Sequence, residues 1–251
     1  MELEGRTALV TGGSGDIGAS IVRSLAKRGA NVVIHYHGNA STAESLRAEI
    51  GSLGCRSIVV KADLSSFDDI EHLVREASAL GPIDILVNNA GSPVRRVHWM
   101  DLDAAFLDLV FSLNFRAPLY LCQLLTPAMI ARSGGVVINV LSTAANLGGT
   151  DTVYAYASAK GALQTLTRGL ARSLASQGVR VLAVSPGTID TDLQRPPLGN
   201  PALLEQLKDG IPLGRIGRPE EVGEVIAYLA TDAASFIVGE TIHINGGLHM
   251  T

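Results

Sequence analysis

Seven short apolar runs punctuate the chain: TALVT at 7–11, NVVIHY at 31–36, SIVVKAD at 57–63, IDILVNN at 83–89, GVVINVLS at 135–142, VRVLAVS at 179–185 and TIHIN at 241–245. Between them lie longer segments of helical period. Ile17, Ile21, Val22 and Leu25 recur at helical spacing before Gly29, and Leu46, Ile50 and Leu53 repeat the pattern. Near-continuous apolar strands alternating with helices predict an α/β fold, a doubly wound seven-stranded parallel sheet with helices on both faces. No Pro-rich, Ser-rich or charged linker divides residues 1–251, so one domain is expected. One stretch breaks the rhythm. Residues 190–212, with Pro196, Pro197, Pro201 and Pro212, follow the sixth strand, where a substrate lid would sit; a functionless surface excursion is the alternative.

Composition changes this picture little. A net charge of -4 without blocks of like charge gives no reason to expect nucleic acid or an anionic membrane as partner. The start Met-Glu-Leu-Glu is acidic where a signal peptide is basic, and no uninterrupted apolar run approaches a membrane span, so a cytoplasmic protein is expected. Cys55 and Cys122 stand far apart without ligand-spaced partners, which argues against a metal site or a disulfide framework.

The stretch TGGSGDIG at 11–18 follows the first strand and opens the first helix. In that context glycines let an anion approach the backbone, and the helix N–H groups and dipole face it. Two registers fit, Gly13-x-Gly15-x-x-Gly18 and Thr11-Gly12-x-x-x-Asp16-x-Gly18. A carboxylate beside a diphosphate is repelled, so Asp16 is expected to turn away and cap the helix. The second strand ends His35-Tyr36-His37-Gly38-Asn39, without the acid that holds the adenosine ribose in NAD sites. That absence favours NADP(H) over NAD, with His37, Asn39 and Ser41 as candidates for the 2′-phosphate. An exposed loop edge accounts for His35 at least as well.

Tyr156-Ala-Ser-Ala-Lys160 sets a phenol and an ammonium one helical turn apart. Ser142, at the end of the fifth strand, is expected to offer its hydroxyl to the same spot. A neighbouring positive charge lowers a phenol's pKa, so Tyr156 can exchange a proton with a substrate oxygen held by Ser142 while a nicotinamide exchanges hydride with carbon.

Taken in order, TGGSGDIG, Asp63-Leu64, Asn88-Asn89-Ala90-Gly91, Asn114, Ser142, YASAK at 156–160, Ser185-Pro186-Gly187-Thr188 and NGG at 245–247 make the chain resemble the short-chain dehydrogenase/reductases over its whole length. The tail IPLGRIGRPEEVGEVIAYLATDAASFIVGETIHINGG is most similar to β-ketoacyl-[acyl carrier protein] reductases and the sugar and alcohol dehydrogenases near them. The resemblance implies a Rossmann-type fold and a tetrad: Tyr156 as acid/base, Lys160 on the nicotinamide ribose, Ser142 on the carbonyl and Asn114 on a relay water. It implies cofactor contacts from Gly12, Ser14, Asp16, Ile17 and Gly18, from Tyr36, His37 and Asn39, and from Asp63 and Leu64 at adenine. Asn89, Ala90, Gly91, Pro186, Gly187, Ile189 and Thr191 complete that set, with Asn88 supporting the strand edge. The family's pattern TGxxxGxG also selects the second register, in which Asp16 replaces the middle glycine. Ser142 stands 14 residues before Tyr156 where 13 is usual, which makes Thr143 a competing assignment; Leu182 replaces a frequent asparagine. The implied activity is NADP(H)-dependent interconversion of a small-molecule ketone and secondary alcohol by a homotetramer, with dimer contacts from helices near 114–132 and 155–176. An NAD-dependent sugar or alcohol dehydrogenase and a non-catalytic dinucleotide sensor are the alternatives. Arg132 and Arg172 are candidates for docking an acyl carrier, and Val94, Trp99, Leu147, Tyr154, Leu193 and Leu198 for the pocket wall, with Arg95 and Arg96 nearby.

Overall fold

The computed structural model describes residues 1–192 and 201–250. All seven predicted strands form, as β1 (Thr7–Val10), β2 (Asn31–Tyr36), β3 (Ser57–Lys61), β4 (Ile85–Asn88), β5 (Gly135–Val140), β6 (Val179–Pro186) and β7 (Thr241–Ile244). They join one parallel sheet in the order β3-β2-β1-β4-β5-β6-β7. The helices are α1 (Asp16–Lys27), α2 (Ala40–Ser52), α3 (Phe67–Ala77), α4 (Ala104–Phe111), α5 (Ala117–Ala131), α6 (Ala144–Leu147), α7 (Tyr154–Leu174), α8 (Pro201–Asp209) and α9 (Pro219–Leu229).

Strand side chains alternate between two cores. Ala8, Val10, Val32, Ile34, Ile85 and Val87 face α1, α2 and α9, whereas Leu9, Val33, Leu86 and Val137 face α3, α5 and α7. Because both faces are covered, the strands carry apolar residues at successive positions, which is why they read as continuous runs. The sheet order reverses at β1 and β4, so the carboxyl ends of these two strands open a crevice.

The segment after β6 contains α8. The continuous helical stretch Ala104–Ala131 holds an 18-residue window of mean hydropathy 1.2, long and apolar enough to cross a membrane by length and composition alone, although Asp108 and Arg116 interrupt it. Its apolar character is used inside the fold, where Phe106 and Val110 build a small core with Ala155, and Leu121, Cys122 and Met129 pack on the sheet.

Candidate active site

The turn between β1 and α1 is held from three sides. Gly12 takes φ +63°, its N–H donates to His35 Nδ1 at 2.9 Å, and its carbonyl accepts from Asn89 Nδ2 at 3.1 Å. The hydroxyl of Thr11 accepts from the amides of both Asn89 and Ala90 at 3.0 Å. A Cβ on Gly18 would overlap the Gly12 carbonyl oxygen, so α1 abuts the turn directly. The residue before α1, Gly15, supplies no side-chain cap. The first-turn amides of Asp16, Ile17 and Gly18 therefore face the crevice as an anion cradle.

Asp16 does not cap α1. It is the first helical residue, and its Oδ2 accepts the amide of Asp192 at 2.7 Å, joining the turn to the segment after β6. The carboxylate is thus engaged with a backbone donor from a distant strand end rather than with its own helix, because the dipole favours acid there but the N1 side chain points away from the orphan amides.

A crevice of about 1130 Å³ runs from this turn across the sheet edge. His37, Gly38, Asn39, Thr42, Asp63, Leu64 and Ser65 line one end; Ser142, Tyr156, Lys160, Pro186, Gly187, Ile189 and Thr191 line the other. Of the predicted contacts, Tyr36 is displaced: its ring packs against the core under α1 and α2 instead of lining the crevice. Ser41 lies outside the lining, and its hydroxyl donates to Asn39 Oδ1, which also caps α2 through Thr42 N. Asp63 accepts from Ser65 N and Oγ, and these bonds hold its carboxyl below the usual range.

At the other end, Tyr156, in the first turn of α7, and Ser142, just beyond β5, both line the crevice, and the Ser142 hydroxyl also accepts the amide of Ala144 at 3.2 Å. Thr143 is committed elsewhere, its Oγ1 donating to Pro186 O at 2.7 Å, which leaves Ser142 as the hydroxyl beside the phenol. Lys160 is 2% exposed, and its Nζ donates to Val140 O at 2.7 Å and lies 5.8 Å from the Tyr156 ring centre. Burial lowers the lysine to about 8 and pushes the phenol up from its ordinary value, with the Ser142 bond opposing. For Tyr156, burial outweighs the lowering expected from the neighbouring ammonium.

Asn114 occupies a five-residue π turn, Ser112–Arg116, between α4 and α5. Its side chain donates to Ser92 O and Val110 O at 2.9 Å and accepts from Ser92 N at 3.1 Å, tying the post-β4 segment to the turn. A Cβ on Gly91 would come within 2.7 Å of Lys160 Nζ and 2.8 Å of Asn114 Oδ1, so only glycine lets these two side chains converge there. Beneath them, Asn88 Nδ2 donates to Asn139 Oδ1 and Asn139 Nδ2 to Thr167 Oγ1, each at 2.8 Å, a buried ladder from β4 through β5 to α7.

Around the Ser142–Tyr156 pair the walls are mostly apolar: Val94, Leu109, Leu113, Leu147, Val153 and Leu207, with Arg96 at the margin. Trp99 and Tyr154 are instead exposed outside the crevice, and Leu193 and Leu198 lie outside the described residues. Arg132 is anchored to Ile83 O and Asp84, so it holds a loop rather than standing ready for a carrier. Sequence reasoning missed His35, which is 2% exposed rather than at a loop edge. Its place in β2, one residue past Ile34, puts it on the inner face that Val33 uses, and that parity was the available signal.

Residues 13–249 match the family model described as enoyl-(acyl carrier protein) reductase. The chain belongs to the short-chain dehydrogenase/reductase family. This short-chain dehydrogenase/reductase is 37% identical to an uncharacterised oxidoreductase of Bacillus subtilis, over 97% of this chain and 99% of that one. It is 36% identical to 3-oxoacyl-[acyl-carrier-protein] reductase of Staphylococcus epidermidis, over 98% and 99%. Among solved structures, a dehydrogenase/reductase of Sinorhizobium meliloti superposes with TM-score 0.91 at 35% identity, covering 99% of this chain and 97% of that one. A candidate NAD(P)-dependent gluconate 5-dehydrogenase of Beutenbergia cavernae, solved with NADP at low occupancy, superposes with TM-score 0.92 at 32% identity and 98% coverage of both.

Proposed function

We propose that this oxidoreductase interconverts a ketone and a secondary alcohol with NADP(H), using Tyr156 as the proton-exchanging group. The observation that carries the reading is the convergence of Ser142, Tyr156 and a buried Lys160, bonded to Val140 O, on one crevice that begins at a helix N-terminal anion cradle. Ser142 holds the substrate oxygen and Tyr156 passes it a proton or takes one back. Lys160 binds the ribose beside the reacting ring and anchors α7 to the end of β5. Asn114 braces the Ser92 segment against the π turn and holds the relay water. The dinucleotide, when bound, supplies or accepts the hydride.

The adenosine end supports NADP(H): His37, Gly38, Asn39 and Thr42 line it without a carboxylate from β2. The apolar substrate end, together with the acyl-carrier reductase relatives, supports a 3-oxoacyl or similar medium-sized ketone. Leu207 of α8 in the crevice wall supports a substrate cover within 190–212. A second reading, sugar or alcohol dehydrogenation, is favoured by the gluconate dehydrogenases among the structural neighbours, whereas NAD as its cofactor finds no support there, since one of them was solved with NADP. We further propose a homotetramer.

Fluorescence titration with NADPH and NADH, followed by turnover on 3-oxoacyl esters, ketones and sugar acids, tests these readings. Expected are tighter NADPH binding and, in Tyr156→Phe, turnover lower by at least about 10²-fold with dinucleotide affinity kept. Tighter NADH binding with oxidation of a sugar acid supports the second reading. Tyr156→Phe turning over at the wild-type rate overturns the assigned acid/base.

A further inference from the structure

His35 is the one imidazole built into the frame of the crevice on its buried side, and it joins two turns that the chain delivers from different strands. Its Nδ1 accepts the Gly12 amide at 2.9 Å, and its Nε2 lies 3.1 Å from Ala62 O. Its own carbonyl accepts the amide of Gly13 at 2.8 Å. Because Gly12 offers a hydrogen, Nδ1 must be bare, so Nε2 carries the proton and donates it to Ala62. Gly12 belongs to the phosphate turn; Ala62 precedes Asp63 and Leu64, which line the opposite rim of the crevice.

We propose that His35 is a positioning residue for the dinucleotide, a neutral strut that fixes the phosphate turn at a set distance from the Ala62–Asp63 turn. The inference rests on the dinucleotide reading of this crevice. The Gly12 amide is oriented by His35 and its carbonyl by Asn89, so neither is spare for a ligand, and the whole peptide is locked in its left-handed conformation. Locking it sets where the first-turn amides of α1 aim and how far they stand from Asp63. A dinucleotide spans both turns, so an error in their separation weakens its binding while leaving Tyr156 and Lys160, on the far side of the sheet edge, unmoved. Burial, with a contribution from His37, lowers the imidazole to about 4 against the opposing pull of Ala62 O and Asp63, so the strut stays uncharged across the neutral range.

The two nitrogens can be removed separately. His35→Asn keeps an acceptor at the branch position for Gly12 and loses the Ala62 arm; His35→Gln reaches Ala62 but leaves the Gly12 amide buried and unpaired; His35→Leu loses both. The experiment measures Kd for NADPH and NADH, KM for the preferred dinucleotide, kcat at saturation and Tm for all four proteins. Expected in His35→Leu is a rise in Kd and KM of about tenfold or more at unchanged kcat, with His35→Asn and His35→Gln, each keeping one arm, falling between His35→Leu and wild type. A His35→Leu protein that binds within about twofold of wild type overturns the proposal, as does His35→Asn binding as tightly as wild type. If His35→Leu does not fold, the other pair decides. His35→Asn and His35→Gln each binding at least about threefold more weakly than wild type supports the strut, and either binding as tightly as wild type overturns it. Wild-type protein that binds neither dinucleotide brings down the reading of the crevice, and this inference with it.

Discussion

A lysine sealed beneath the crevice has a thermodynamic consequence that does not depend on substrate. Burial lowers Lys160 from 10.5 to about 8, so between those values the folded chain has shed a proton that the unfolded chain retains. Where the unfolded state holds more protons, stability rises with pH. The contribution of Lys160 is therefore full above about 10.5 and is lost as pH falls through about 8. In Lys160→Met this group no longer titrates. Thermal melts from pH 8 to 10.5 are expected to show wild type gaining roughly 5 °C on Lys160→Met across the window, and parallel curves would contradict the assignment. The same residue explains Gly91, whose missing Cβ leaves room for the ammonium. In Gly91→Ala the ammonium must shift, and turnover is expected to fall by tenfold or more, about 1.4 kcal/mol, in steady-state assays at saturating dinucleotide.

At the scale of elements, the strands and the helices that cover them were legible because each obeys one period, and a sheet buried on both faces announces itself as apolar runs. Of the proposed tetrad, three members were written into local pattern as well, since Tyr156 and Lys160 lie on one helix face and Ser142 follows a strand. What could not be read were connections made only in space. The π turn that carries Asn114 continues an ordinary helical pattern through Leu113 and Ala117, and the partner of Asp16 lies 176 residues away. That last contact replaces the expected cap of Asp16 on its own helix. Its carboxylate is a clasp on the start of the segment that leads to α8, and a backbone amide bonded to a charged acceptor gains about 1.5–3 kcal/mol. Asp16→Ala is expected to raise the hydrogen-exchange rate of the Asp192 amide by about tenfold or more while changing dinucleotide affinity by less than tenfold. Unchanged exchange at Asp192 would mean that the clasp carries no weight in solution. A tenfold gain in affinity for Asp16→Gly would mean that repulsion at the cradle dominates instead.

The whole molecule leaves one side of its sheet unfinished. β7 ends the sheet on the side away from β3, and all four of its residues remain partly exposed. Beside it in sequence, Phe236 is fully exposed and Tyr228 of α9 is 44% exposed. An uncovered edge strand invites pairing with another chain, and burying a phenylalanine side chain contributes about 1.5–3 kcal/mol. In the proposed homotetramer this edge is covered by a second copy, while α5 and α7 supply the other contact. Sedimentation equilibrium is expected to return about four times the 26.2 kDa chain mass for wild type. Phe236→Asp puts a charge at the edge contact and leaves α5 and α7 untouched, so it is expected to give a dimer with the same circular dichroism. A Phe236→Asp tetramer as tight as wild type would move the edge contact elsewhere, and a wild-type monomer would mean that the exposed edge is tolerated in solution. Neither result would touch the crevice, because Gly12, His35, Ser142, Tyr156 and Lys160 all come from one chain and are linked through its own hydrogen bonds.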